Sequence, residues 1–482
     1  MSEYLKVVDE HATSLDELAD KIWDHPETAF TEFESSKLLE DYLANEGFEI
    51  TTNVADIPTA FTARFGSGKP VIGFLGEFDA LSGLSQKAGI THEEALVKGG
   101  NGHGCGHNLL GVGALGAALV LKDYLEKTHK SGTVIYYGCP GEEGGSGKAF
   151  MARSGIFEEL DCALTWHPSE LTEVAQGSSL ANIQVLYTFS GIASHAAANP
   201  EKGRSALDAL ELMNVGTNFL REHMSDQARI HYAIIDGGGL SPNVIQPHAS
   251  VLYLIRAPKS EEAQELYRRV NLIAEGMAMA TETHVKHELI KTCAEVIPNK
   301  PLEKALYASM QEIDAPKLTD EELAYIKEIT ASSTSKKGES LLRYESKLLL
   351  QEDKDKVRAR LNDDFYGEPL PYEEVTFTRG SSGSTDVGDV SWNTPTAQIH
   401  TATWAPNSGG HSWQIVSQGK GSVAHKYMRY CSKILGLTAI HLLEQPEILI
   451  DARKAWQEEL DGRTYNKIPE DVKPRSIASL AK

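Results

Sequence analysis

The sequence predicts an α/β protein whose layered, parallel-sheet domain is interrupted by a smaller α+β domain. Three observations predict it. The chain has 482 residues, too many for one ordinary hydrophobic core. From residue 13 to about 168, amphipathic stretches alternate with short apolar runs bounded by Gly and Pro, the rhythm of helices laid over parallel strands. Near residue 181 that rhythm changes to strand, helix, strand, strand, helix, strand.

Taken in order, residues 14–23 and 33–45 read as amphipathic helices and 70–76 as a buried strand. Residues 111–127 read as a packed helix, and 133–137 and 162–166 as two further buried strands. In the second rhythm, 182–189, 229–235, 250–256 and 284–290 are the strands, while 205–222 and 261–280 are the helices. That order is the split βαβ of a ferredoxin-like layer, which places an inserted domain at 181–295. The flanking parts, 1–180 and 296–450, then form one domain, and 451–482 reads as a polar, peripheral tail. Residues 329–371 are charged with few large apolar anchors, as in an exposed and partly helical excursion; 380–392 is loop chemistry, and 423–443 is a closing helix.

Composition narrows the function classes. Lys and Arg number 46 against 68 Asp and Glu, a net charge of −22 that repels phosphate backbones and argues against nucleic-acid partners. Five scattered cysteines do not make a secreted disulfide framework. The first twenty residues lack the apolar stretch of a signal peptide, and no apolar run is long enough to span a bilayer. A cytoplasmic protein without a membrane segment is the expectation.

Four clusters carry chemistry. Gly102-His103-Gly104-Cys105-Gly106-His107-Asn108 sets a thiolate and an imidazole two residues apart between glycines, so both can converge on one ion. A phosphate loop is the competing reading, but no Lys or Arg clusters nearby. Glu142 and Glu143 follow a strand in a Gly-rich turn, where one carboxylate can face a metal and the other a water. His167 ends the strand at 162–166, and His411 sits in a Gly-Ser loop. Glu77 and Asp79 end the strand at 70–76; either can ligate a metal or orient a histidine ligand, and the second role is favoured for Asp79. Cys105, His107, Glu143, His167 and His411 form a mixed S, N and O donor set suited to Zn or Mn, with Co or Ni as further options, and not to Mg or Ca. Two such ions at a separation of ~3.5–4 Å, with Cys105 or a hydroxide between them, would activate water and polarise a carbonyl. Glu142 would then carry the proton to the leaving amine.

In Cys105-Gly106-His107, Pro140-Gly141-Glu142-Glu143-Gly144, His167-Pro168 and His411 the chain resembles the family 20 metallopeptidases, the aminoacylase and carboxypeptidase G-like group, over nearly its whole length. The branch it resembles is that of amidohydrolases acting on indole-acetyl amino acids and hippurate. The motifs at residues 23–28 and 383–392 belong to the same resemblance. It implies a di-metal aminopeptidase-like catalytic domain with catalysis by Glu142, Asp79 beside it, and ligation by the five residues above. Glu77 stands where more distant relatives have a metal-binding histidine. For the inserted domain the resemblance implies lid and dimerisation roles, with His195 stabilising an oxyanion and Asn243 and Arg256 gripping a substrate carboxylate. An Arg fork suits a planar carboxylate. The implied substrate is an N-acyl amino acid such as p-aminobenzoyl-glutamate. A metallo-dipeptidase and a non-catalytic subunit are the alternatives, and the implied partner is a second copy or a paralogue.

Overall fold

The computed structural model describes residues 3–374, 383–476 and 479. Among these, twelve strands run in chain order: β1 (Glu49–Thr52), β2 (Phe61–Ser67), β3 (Val71–Glu77), β4 (Gly132–Cys139), β5 (Cys162–Ser169), β6 (Leu171–Ala175), β7 (Ala181–Ser190), β8 (Arg229–Asp236), β9 (His248–Ala257), β10 (His284–Cys293), β11 (Tyr366–Pro369) and β12 (Thr396–Ala402). The chain divides into two compact units. One comprises Met1–Gly177, Ile297–Arg379 and Val390–Thr464; the other comprises Ser178–Val296, Gly380–Asp389 and Tyr465–Lys482.

The first unit is built on an eight-stranded sheet in the order β1-β2-β4-β3-β5-β12-β6-β11. Its centre is parallel, as β4, β3, β5 and β12 pair in parallel. The sheet as a whole is mixed, which corrects the expectation of parallel strands: β1 with β2, β2 with β4 and β6 with β12 are antiparallel. The apolar run at residues 71–76 of β3, a strand whose every residue is buried, follows from its central position with both faces covered. Helices His107–Thr128, Lys300–Glu312 and Ser422–Glu444 pack on the sheet. The first of these is long and apolar enough to span a bilayer, yet 89% of its apolar window is buried inside the protein. It begins at His107 itself, four residues ahead of the expected start, so the Cys-Gly-His motif is the helix entry and not a loop before it.

Three expectations about the chain after 320 need correcting. Residues 329–371 are no bare excursion: helices Glu339–Glu345 and Gln351–Ala359 and strand β11 enclose Leu341, Tyr344, Leu348, Val357, Tyr366 and Leu370 against Leu171. These anchors are spaced irregularly across short elements, so no periodic stripe marks them. Of the expected loop at 380–392, residues 380–382 lie outside the described residues, and Val387–Ser391 is a short helix. Beyond Asp451, where a polar tail is expected, helix Pro446–Leu460 continues through Leu460.

In the second unit β7, β8, β9 and β10 form an antiparallel sheet in the order β10-β7-β9-β8, with helices Ala206–Leu220 and Ser260–Ala280 filling the two crossovers. This is the β-α-β-β-α-β arrangement of a ferredoxin-like layer. Val185, Tyr187, Val251, Tyr253 and Ile255 from the strands meet Ala209, Leu210, Met213, Leu266 and Val270 from the helices in a core of its own.

Candidate metal centre

In the first unit the three parallel neighbours β4, β3 and β5 end side by side, and their C-terminal ends meet the N-terminus of helix His107–Thr128. The ligand crevices of α/β sheets open at such ends. Gly106, at φ 74°, makes the turn into the helix, and a Cβ there would come 3.0 Å from both Pro168 and the Trp404 ring. Only glycine can therefore separate Cys105 from His107 in this geometry.

Side-chain donors converge in two groups that share a member. Cys105 Sγ lies with donor atoms of His107 and His167 within 4.8 Å of one another, and Cys105 also forms such a group with Glu143 and His411. Cys105 Sγ is 3.4 Å from His167 Nε2, and Glu143 Oε1 is 3.2 Å from His411 Nε2. A third group joins Glu77, His107 and Glu142. His107 Nε2 is buried and makes no well-aligned hydrogen bond, with Glu77 Oε2 3.3 Å away, so it is free to serve as a metal donor. The donor set of one thiol, three imidazoles and a carboxylate fits two borderline divalent ions.

Asp79 is the element that ties the centre together. Its Oδ1 lies 3.0 Å from His107 Nδ1, while its Oδ2 accepts from the backbone N–H of Glu143 at 3.0 Å. One buried carboxylate thus fixes the tautomer and orientation of one donor and the backbone of another. His411 is held differently. It adopts φ 54° in a loop whose Asn407 N–H donates to Glu170 at 2.7 Å and whose Ala405 N–H donates to Gln418 at 2.7 Å. Its side chain remains 53% exposed.

The electrostatics follow from this packing. Burial pushes the Cys105 thiol well up and the Glu143 charge adds to the effect, so a bound cation is what would make it a thiolate. Burial works to raise Glu143, but the hydrogen bond from His411 and the charge of His107 bring it down to about 2. Burial, followed by the charge of His107, lowers His167 to about 4, leaving a neutral imidazole. His103, the other histidine of the glycine-rich motif, is no member of the group: its Nε2 bonds Ile22 O at 3.0 Å, and burial takes it down to about 3.

Sequence reasoning missed two neighbours. Lys148 is fully buried and holds Glu77 Oε1 at 2.6 Å, while Glu77 Oε2 lies 3.3 Å from His107 Nε2. A lysine amid Gly, Ser and Ala after a carboxylate pair is the signal that was available, since buried lysines are rare unless paired. His400 stands beside His167, ring centroids 6.2 Å apart, and its Nδ1 is 2.9 Å from Glu173 Oε1. Nothing local in the sequence marks it.

The remaining expected residues belong to the second unit. His195 and Asn243 are both exposed, and the residue after His195 ties their loops together: the Ala196 N–H donates to Asn243 O at 3.0 Å. His195 Nδ1 accepts from the N–H groups of Ala197 and Ala198. Arg256 is half-buried and donates to Ser384 Oγ at 2.7 Å.

Residues 73–331 match peptidase family M20/M25/M40. The chain is 46% identical to a subunit of the p-aminobenzoyl-glutamate hydrolase of Escherichia coli, over 96% of each chain. It is 30% identical to Xaa-Arg dipeptidase of Mus musculus, over 93% of this chain and 90% of that one. Among solved structures it resembles the Bacillus subtilis YXEP protein, a dinuclear metal-binding peptidase, at a TM-score of 0.54 and 16% identity over 90% of this chain and 99% of that one. At that identity the likeness is one of fold.

Proposed function

The chain belongs to peptidase family M20/M25/M40, a family of amide-bond hydrolases, and from that premise we propose that it is a di-metal amidohydrolase cleaving an N-acyl amino acid, p-aminobenzoyl-glutamate first among the candidates. The observation that carries the reading is Cys105 standing in two donor groups at once, with Glu142 beside them. Cys105, His107, Glu143, His167 and His411 would hold the two ions, Zn or Mn, with Co or Ni as alternatives. When bound, the ions polarise the scissile carbonyl and increase the acidity of a water.

The protein's own groups do the rest. Glu142 takes the proton of the attacking water and delivers it to the leaving amine. Asp79 keeps His107 in the tautomer that presents Nε2 and holds the Glu143 backbone. His195 stabilises the developing oxyanion, and Asn243 and Arg256 bind the carboxylate of the amino-acid half. In this reading the ferredoxin-like unit, 181–295, is the lid and dimerisation domain between the catalytic segments 1–180 and 296–450, with 451–482 the C-terminal tail. The protein works in the cytoplasm beside a second copy or a paralogous subunit; the name of its Escherichia coli relative describes one subunit of a hydrolase.

A dipeptidase is the second reading, favoured by the 30% identity to the mouse Xaa-Arg dipeptidase. A panel of N-acyl glutamates and Xaa-Arg dipeptides, assayed with the chain alone, separates them. Preference for p-aminobenzoyl-glutamate upholds the first reading and preference for Xaa-Arg the second. Activity that appears only with a paralogue assigns this chain a subunit role.

A further inference from the structure

The motif at residues 23–28 takes no part in the chemistry above, but its continuation does touch the catalytic turn. Glu32 is fully buried. Its Oε1 accepts from the backbone N–H of Phe30 and of Gly141, each at 2.9 Å, and its Oε2 accepts from the Thr59 hydroxyl at 3.0 Å. Gly141 immediately precedes Glu142 and, at φ 70°, is the N-cap of the short helix Glu142–Gly145. Phe30 is also left-handed, φ 64°, an unfavourable state for a bulky residue that persists only when its surroundings impose it. Its ring fills the side of the turn: a Cβ on Gly141 would come 2.8 Å from Phe30 Cε1, and one on Gly145 would come 2.2 Å from Cε2. At the other end of the segment, Glu27 O accepts from the N–H of Ala80, next to Asp79, at 2.7 Å.

We propose that residues 27–32 are a clamp on the two acid-bearing loops, and that Glu32 is a positioning residue that aims the Glu142 carboxylate by holding the Gly141 N–H. The inference rests on the reading of Glu142 as proton carrier. A turn with glycine at 141, 144, 145 and 147 has wide backbone freedom, and proton transfer requires a heavy-atom approach of ~2.6–3.2 Å. One buried hydrogen bond at the entry of the turn, with an aromatic ring along its side, removes that freedom. Burial and the nearby Asp79 charge push Glu32 up to about 8; its Oε1 accepts from the two backbone N–H groups and its Oε2 accepts from the Thr59 hydroxyl. Glutamine keeps a carbonyl oxygen that can accept from both backbone N–H groups, and leucine keeps no acceptor.

The test uses the metal-loaded full chain with p-aminobenzoyl-glutamate, reading kcat, KM, metal content and hydrogen exchange at the Gly141 amide. Glu32→Leu should lower kcat by ~10–100-fold with KM and metal content little changed, and Gly141 should exchange faster. Glu32→Gln should keep most of kcat and the Gly141 protection. Where Glu32→Leu does not fold, Phe30→Leu, which leaves the carboxylate in place, should reproduce the loss in kcat and in protection. Wild-type kcat per metal-loaded chain, or unchanged Gly141 exchange, in the variant that folds overturns the clamp. Glu142→Gln separates the two claims: its activity would remove the proton-carrier reading, whereas an inactive Glu142→Gln beside a fully active Glu32→Leu removes the clamp alone.

Discussion

The residues of the metal centre and those of the ferredoxin-like unit are held in opposite ways. Around Cys105, donors from three strand ends and a helix entry are buried or half-buried and close to one another, with only the loop residue His411 among them exposed, and Asp79 serves two of them at once. His195 and Asn243 are exposed and held by backbone contacts within and between their two loops. Under the proposed function that difference corresponds to two kinds of work: a group that must be in place before substrate arrives is locked by neighbours, and a group that would meet the substrate keeps its polar end open.

That contrast can be broken by mutation. Glu142→Ala should cost most, ~10²–10⁴-fold in kcat, with metal content unchanged, by steady-state kinetics and metal analysis on one preparation. Asp79→Asn keeps the shape but weakens the hold on His107; metal affinity, measured by competition with a chelator, should fall ~10–100-fold. Arg256→Lys should act on the other side of the comparison: it raises KM for a carboxylate-bearing substrate by roughly tenfold, with kcat and metal content near wild type, because a fork becomes a point charge. A rise in KM for Asp79→Asn, or a loss of metal for Arg256→Lys, would erase the division.

The smallest effect is in pH dependence. Glu32 titrates at about 8 in the folded chain, above its unfolded value of 4.5. Its stabilising contribution is therefore fully present below about 4.5 and lost as pH rises through about 8. Glu32→Gln removes that titration, so its Tm should gain on wild type between pH 5 and pH 9 by roughly a few degrees in scanning calorimetry. Glu303, which burial raises to about 7, titrates in both proteins and cancels in the difference.

Legibility in the sequence followed how local each feature is. The ferredoxin-like order could be read because its strands and helices are long and their periods clear. Short strands such as β1 and β11, each four residues, carry too few residues for a period and are fixed by the neighbours they pair with. At the metal centre, Cys105, His107 and Glu143 stand in compact motifs whose glycines announce tight turns. His411 joins Glu143 through a strained loop far along the chain, which spacing alone does not reveal. Lys148 carried only a weak local signal, a lysine among small residues, and Glu32 none, because a buried acid is recognised only once its partner is seen.

The most direct test of the account is metal content and position in the purified chain, by elemental analysis joined to anomalous diffraction. Two ions per chain, one beside His107 and His167 and the other beside Glu143 and His411, with Cys105 touching both, is the predicted result. A single ion, or a pair that leaves Cys105 untouched, would contradict it.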